Sequence, residues 1–575
     1  MSLFFKEDGG YIHDKKEGEL RICGPIKIIA IVSDSARERG FGRVVEWINL
    51  YGKVYRTVLL MGETDEQTSQ RFKTELKETG FYLLHRKWVW NHIIDFINES
   101  IPKKHVIGTN STGWLEDQFV TTEWSAGYSN GSEAIYVGQN VASLLKQKGS
   151  LDDWQRGIGA ACTGNPILAL GVCSALAAPL IGYSGLESFA VHIVGESKTG
   201  KTTAMNVATS VYSSESYAET WSSTANGLEA VASNRNDMLL CLDEFKQAPA
   251  QDMDRVIYHI ANGASKLRSN KDGSLAARNR WNTILLSTGE LSLEEMFKEF
   301  GKEVSAGQKV RFIEVSIFGQ FGAFDNLGDF KSAKEFAEYL NEQSRKNYGT
   351  LFKAWVDYLV SIDGLSMIIR EEIKAARKKW VYLAQTDESQ VNNVLDKLAL
   401  LAAAGEIAAN AGLIPWPSGH AQQVIGQVAE IWLDDRDSYE NTENAKLVKN
   451  IYRVIQEIGT ELSVNSSANG LSFDIENGEL VWFIPQQKFR QLVIESYARQ
   501  LRQVINLMLK RHWALSNEGA RGTFKIRNDR FIKMYPQRFC RDTGQNYNFT
   551  RFFPKSNSLK IKENPSIPLS QVKNQ

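Results

Sequence analysis

The chain has little cysteine. Five residues, Cys23, Cys162, Cys173, Cys241 and Cys540, are scattered through 575 positions, with no C-x-x-C pair and no histidine cluster. That spacing excludes a zinc site and a disulfide framework of the familiar kinds, and fits a reducing cytoplasm. The opening stretch MSLFFKEDGG has no secretory apolar core, so a cytoplasmic protein is expected. Internal repeats and low-complexity segments are also missing. One apolar run, Pro166 to Tyr183 (PILALGVCSALAAPLIGY), approaches the length of a membrane span. It lacks flanking Lys or Arg, contains Pro179 and leads straight into a strand, so a buried helix is expected and no membrane partner. Net charge is absent too, with 67 basic residues against 67 acidic ones. The balance is local, however: from Lys488 to Gln575 there are 18 Lys/Arg and 5 Asp/Glu. A basic end points to a polyanion, the competing reading being a solvated tail. A 43% hydrophobic and 23% charged composition fits a globular protein, and this length fits about three or four domains.

What is present centres on Phe189 to Thr203, FAVHIVGESKTGKTT. A short apolar run breaks into G-x-x-x-x-G-K-T and then a helix-compatible run, the strand–loop–helix setting of a phosphate-binding Walker A loop. Gly195 and Gly200 let the backbone curl so that successive N–H groups point at phosphate oxygens, with the positive end of the next helix behind them. Lys201 supplies a cation between the outer phosphates, and the Thr202 hydroxyl suits the magnesium that accompanies ATP. Gly195, Glu196, Ser197, Lys198, Thr199, Gly200, Lys201, Thr202 and Thr203 form the candidate ATP-binding set.

A strand is expected over Ser216–Trp221 and a helix over Thr224–Ser233. Then Met238 to Phe245, MLLCLDEF, ends an apolar run in an acidic pair. Asp243 is the candidate magnesium ligand, and Glu244 the residue that orients or deprotonates the attacking water. The next strand, Thr283–Leu286, leads into Ser287 and Thr288. A polar residue there reaches the γ-phosphate or the water, with Thr288 the first choice and Ser287 the second. Arg311 stands before the strand Phe312–Ile317, a position that faces away from the chain's own nucleotide. It is therefore a candidate catalytic arginine acting on a neighbouring copy, which implies a ring; otherwise it is a surface arginine. Between the acidic pair and the fourth strand, SKLRSNKDGSLAARNRW carries Lys266, Arg268 and Lys271 around a Lys271-Asp272-Gly273 turn signal. A basic hairpin there would grip a nucleic-acid backbone, the alternative being a solvated loop.

Before this core, strands are expected over Gly24–Val32, Val54–Leu60 and Gly80–Leu84, with helices over Asp65–Glu78 and Trp88–Glu99. Short strands and turns follow over Asn110–Gly138, then a helical stretch Leu151–Leu180. Beyond residue 330 five helical segments are expected, Ser332–Glu342, Tyr348–Ile362, Met367–Ala384, Val391–Ala411 and Gln422–Arg436. An acidic linker, Asp435–Glu443, and another helix, Ala445–Ile458, follow. A strand at Glu479–Ile484, helices Gln486–Glu495 and Ala498–Arg511, and strands Phe524–Arg527 and Arg530–Tyr535 make a winged-helix pattern. The tail past Phe539 is expected to be loose.

With these residues assembled, the chain resembles a bacterial and phage family catalogued as domain of unknown function 927. The resemblance rests on GYIHD, TGWL, the run from Gly149 through VGESKTGKTT, STANGLEAVASNRNDMLLCLDEF, LRSNKDGSLAARNRWNTILLSTGELSLEEMF, AGQKVRFIEV and LAAAGEIAANAGLIPW. It covers about residues 10 to 420. The family looks like an AAA+ group related to superfamily 3 and MCM-type helicases, encoded on phages, plasmids and other mobile elements, some members being self-loading replicative helicases. It implies a hexameric ring translocating 3′ to 5′ on single-stranded DNA. Carried onto this sequence, it assigns Gly195, Gly200, Lys201 and Thr202 to the phosphate loop, Asp243 and Glu244 to the acidic pair, Thr288 to the sensor and Arg311 to the finger. Lys397 stands where relatives tend to carry arginine, which leaves a second sensor unassigned.

The expected fold is α/β: a P-loop NTPase core of AAA+ type (149–330), an N-terminal α/β domain (1–148), a helical lid (331–440), a winged helix (441–540) and a basic tail (541–575). The expected function is ATP- and Mg2+-dependent translocation on single-stranded and forked DNA by a homohexamer, with possible replication partners. A nucleotide-switched regulatory or defence assembly that does not unwind DNA is the alternative.

Overall fold

The computed structural model describes residues 3–14, 18–65, 67–128, 132–138, 144–248, 253–265, 280–317, 319–383 and 389–464. Beyond these it describes 471–476, 479–485, 487–489, 492, 508–509, 512–515, 524–526 and 529–543. The chain divides into two compact units, Met1–Asp434 and Asp435–Gln575.

The first unit begins with a small antiparallel sheet of β1 (Phe4–Lys6), β2 (Gly9–Asp14) and β3 (Gly18–Cys23). A five-stranded mixed sheet follows, built from β4 (Ile26–Ser33), β5 (Gly42–Ile48), β6 (Val54–Leu60), β7 (His105–Thr109) and β11 (Glu133–Tyr136), in the order β11-β7-β4-β5-β6. Helices α1 (Gln70–Glu78) and α2 (Lys87–Glu99) put Phe72, Leu76, Trp90 and Ile93 into a core with Trp47 and Val45 of β5. The expected strand Gly80–Leu84 does not form. Gly80 ends α1 in the left-handed region (φ 82°), and only Leu83 makes a single bridge, to Cys23. The short strands β8 (Gly113–Leu115), β9 (Gln118–Val120) and β10 (Ser125–Ala126) make a third, antiparallel sheet.

The expected helix Leu151–Leu180 is interrupted. α3 (Leu151–Trp154) passes into a π turn and a 3-10 turn, Gly164 reverses the chain at φ 76°, and α4 (Pro166–Ala177) restarts at a proline that has no N–H to satisfy. With α5 (Ile181–Ser184), the segment Pro166–Ser184 is the one described helical stretch long and apolar enough to cross a membrane. Every residue of α4 is buried, and the helix packs against β15 (Thr283–Gly289), α6 (Lys201–Ser210) and α14 (Ser389–Asn410), as a core helix does.

The central sheet is fully parallel. β12 (Phe189–Val194), β13 (Glu219–Thr220), β14 (Met238–Asp243), β15 and β16 (Phe312–Ser316) run in the order β13-β14-β15-β12-β16. β12, β14 and β15 read as largely apolar runs because helices cover both faces. Val191, Ile193, Leu239, Cys241 and Leu286 face α4 and α6. Leu240, Leu242, Leu285 and Phe312 face α7 (Ala225–Asn234), α8 (Met253–Asn262) and α9 (Leu293–Glu299). Two strand expectations change. Ser216–Trp221 yields only Glu219–Thr220, because Glu215–Tyr217 turns as a 3-10 helix and the Tyr217 carbonyl accepts from Arg235 Nη2 at 2.6 Å. The fourth strand runs on through Ser287 and Thr288 to Gly289.

Helices α10 (Ala306–Arg311), where no helix was expected, α11 (Ala333–Lys346), α12 (Thr350–Leu359), α13 (Leu365–Lys379) and α14 follow, the last four close to the expected segments. Ser305 and Ser332 cap α10 and α11. The expected linker Asp435–Glu443 lies inside one helix, α15 (His420–Val464), because acidic and polar residues such as Glu and Asn are compatible with a helix when nothing in the run breaks it. In the second unit, β17 (Ser472–Glu476), β18 (Glu479–Pro485), β19 (Ala514–Leu515), β20 (Phe524–Ile526) and β21 (Asp529–Met534) form an antiparallel sheet. The expected β20–β21 pairing is present. The tail expected to be loose past Phe539 is instead helical as far as Thr543, the end of the helix Pro536–Thr543. Its remainder, and the helices expected at Gln486–Glu495 and Ala498–Arg511, lie largely or wholly outside the described residues.

Candidate nucleotide site

The phosphate loop leaves β12 at the carboxyl ends of the parallel strands, where α/β sheets bind ligands. Gly195 N–H donates to Gly289 O at 3.2 Å, tying the loop to the neighbouring strand. Lys198 (φ 64°) and Gly200 (φ 93°) supply the left-handed turns that close it. A Cβ at Gly200 would sit 3.0 Å from the Phe324 ring, so the position also needs the absence of a side chain. Helix α6 starts at Lys201, three residues earlier than the run Ala204–Val211 suggests, so its free N–H groups face the cleft. Lys201 Nζ folds over the loop and donates to Gly195 O (2.8 Å) and Glu196 O (2.6 Å).

Asp243 ends β14 beside this loop. The Thr202 hydroxyl lies 3.5 Å from Asp243 Oδ2, and the Thr288 hydroxyl donates to Asp243 Oδ1. Glu244 N–H donates to Asp243 Oδ1 at 2.8 Å, and Glu244 itself adopts φ 62°, a left-handed conformation that a residue of this type holds only under constraint. Strand alternation separates the two sensor candidates. Ser287 is buried on the opposite face, where its hydroxyl meets His192 Nδ1 and Trp221 Nε1, both at 2.9 Å. Burial holds the His192 imidazole down at about pKa 4, so the ring is neutral.

A cleft of about 600 Å³ is lined by Ser197 to Thr203, Asp243, Glu244, Phe245, Lys246, Gly289 and Glu290. Its other wall comes from Phe321, Phe324, Ala333, Lys334, Ala337, Glu338 and Asn341. Nothing in the sequence marks this wall beyond the helical spacing of α11. Asn341 anchors it, donating to Thr203 Oγ1 (3.3 Å) and accepting from Asn206 Nδ2 (3.0 Å). Threonine and aspartate oxygens converging beside an ammonium-bearing phosphate loop fit a hydrated Mg2+ ion and a polyphosphate.

Arg311 is not in this cleft. It precedes β16 at the end of the sheet where Phe312 aligns with Ala190, about 16 Å of strand from Gly195. There it pairs with Glu187 at 3.0 Å. Lys397 is likewise remote from the loop, its side chain fully buried and paired with the same Glu187 at 3.3 Å. Lys266, Arg268 and Lys271 lie outside the described residues. The flanking residues Ala264 and Arg280 pair as an antiparallel bridge, so the segment leaves and re-enters at one place. A second cleft of about 690 Å³ lies at this other end of the strands. It includes Asp237, whose carboxylate accepts from Trp114 N–H at 3.0 Å and whose pKa burial pushes up to about 6.

The parallel sheet thus brings the glycine-rich loop after β12 and the acidic pair at the end of β14 to one cleft. A family model described as domain of unknown function (DUF927) matches residues 6–280 of the chain. The fold is similar to that of a solved structure described as the SCCmec type IV Cch active helicase. The two share 17% identity over 95% of this chain and 99% of that one, with a TM-score of 0.61. The apo NrS-1 C-terminal region matches at 12% identity over 89% and 96% of the two chains, with a TM-score of only 0.33. No curated protein matches the chain.

Proposed function

We propose that this chain is an ATP-driven motor on DNA, with an AAA+ core that works as a homohexameric ring. The observation that carries the reading is the convergence of Lys201, Thr202, Asp243 and Glu244 on one cleft at the carboxyl ends of strands ordered β16-β12-β15-β14-β13, with Thr288 buried behind it and bonded to Asp243. That constellation suits phosphoryl transfer, in which the protein positions groups and offsets charge.

In this reading the loop N–H groups and the α6 N-terminus bind the phosphates, and Lys201 turns from its loop carbonyls to the β- and γ-oxygens. Thr202 and Asp243 would hold Mg2+, which would offset the phosphate charge. Glu244 orients and deprotonates the attacking water. Thr288, fixed on Asp243, reports the γ-phosphate. Arg311 points away from its own loop and serves the nucleotide of an adjacent copy, completing each site across a seam. The segment holding Lys266, Arg268 and Lys271 grips the backbone of single-stranded DNA and moves as ATP turns over. A winged helix in the second unit and the basic tail also bind DNA. The fold likeness to a protein described as an active helicase supports unwinding as the outcome.

The test is ATPase and forked-duplex unwinding by the full chain and its Lys201→Ala variant. Loss of both activities in the variant is expected. Normal ATP hydrolysis by Lys201→Ala overturns the site, and ATP-dependent assembly of the parent chain without strand displacement overturns the motor.

A further inference from the structure

Glu187 lies two residues before β12, the strand whose far end carries the phosphate loop. Its carboxylate is shared by two cations from separate elements. Oε2 meets Arg311 Nη2 at 3.0 Å, and Oε1 meets Lys397 Nζ at 3.3 Å. Lys397 is fully buried on α14, and its ammonium also donates to Val310 O at 3.0 Å. Burial lowers the lysine's pKa and Glu187 opposes that shift, so the carboxylate is what keeps a cation in this place.

Arg311 is thereby held at several points. Besides Glu187, Nη1 donates to Gly307 O at 3.2 Å and the guanidinium sits 5.5 Å from the Tyr258 ring centre. About a quarter of the side chain remains exposed. A long, rotamer-rich side chain fixed in this way has lost its entropy before any partner arrives.

We infer that Glu187 is a positioning residue for Arg311: the Lys397–Glu187 pair sets the guanidinium where an adjacent copy's nucleotide meets it. Lys397, which stands where relatives tend to carry arginine, acts here through the finger. The inference rests on Arg311 working across the seam, and it deepens that reading. It also links the helical segment to the finger, because α14 carries Lys397.

Mixed subunits separate the inference from the reading beneath it. Lys201→Ala has a dead site and an intact finger, while Arg311→Ala has the reverse, so mixing them should restore ATPase. Adding Glu187→Gln to the Lys201→Ala partner should cut the restored rate about 10-fold or more. In an otherwise native chain, Glu187→Gln should lower kcat while nucleotide affinity at its own loop stays within about twofold. Thermal melting checks folding. If Glu187→Gln alone melts early, the Glu187→Gln, Lys397→Met double variant, which buries no unpaired ammonium, takes its place in the mixture. Full restoration by the Glu187 variant overturns the positioning role and leaves the shared site standing. No restoration with Lys201→Ala itself overturns both.

Discussion

The Thr288 hydroxyl donates to Asp243 Oδ1 across β14 and β15, one step beyond the Leu242–Ser287 pair. The bond holds the carboxylate by one oxygen and leaves Oδ2 turned toward Thr202. Thr288→Val keeps the volume and removes the donor. The expected result is a fall in kcat of about 10- to 100-fold with nucleotide affinity changed by less than about threefold, read by steady-state ATPase and by binding titration. Equal losses in affinity and rate would assign Thr288 to ground-state binding instead.

The basic segment between Ala264 and Arg280 should touch phosphate and not bases. Replacing Lys266, Arg268 and Lys271 with Ala is expected to abolish most DNA stimulation of the ATPase while basal hydrolysis persists. The salt dependence of single-strand binding should become shallower by about 0.7 in log–log slope for each phosphate no longer neutralised. Unchanged stimulation would remove these residues from the DNA path.

His192 makes the core acid-sensitive. Its folded pKa, about 4, lies below the ordinary histidine value, so the neutral ring is favoured in the folded state. The associated stability is complete above the unfolded value and is lost as pH falls through about 6.5 towards 4. Between pH 7 and pH 5 the parent chain should lose about 2 kcal/mol relative to a His192→Gln variant, measured as the difference in their denaturation curves. The comparison cancels Asp237, whose raised pKa acts in the opposite direction: its contribution is lost as pH rises through about 6. Parallel pH profiles for the two chains would contradict the neutral ring.

The site was legible where chemistry is packed into adjacent residues. Gly195 to Thr203 and Asp243–Glu244 stand out because a glycine-rich loop and an acidic pair each end an apolar run, which puts them at strand ends and on one cleft. The choice between Ser287 and Thr288 was not legible, since it depends on which face of β15 meets β14, and a strand ended at Leu286 offers no alternation to count. The wall formed by Phe321, Phe324 and Asn341 comes from a segment over 100 residues beyond the loop, and nothing local marks it. The sharing of Glu187 by Arg311 and Lys397 spans 210 positions and was equally hidden. In the fold, the linker at Asp435–Glu443 and the strand at Gly80–Leu84 failed for opposite reasons. Polar composition does not stop a helix that lacks breakers, and an apolar run does not make a strand when Gly80 turns the chain out of register.

The central claim is that hydrolysis at this cleft drives strand separation. Its most direct measurement is unwinding of a forked duplex by the full chain and by Glu244→Gln, with Mg2+ and ATP, alongside nucleotide binding. The variant is expected to bind ATP as the parent does, to hydrolyse it at least about 100-fold more slowly, and to release no strand. Strand release at the parental rate by Glu244→Gln would contradict the claim.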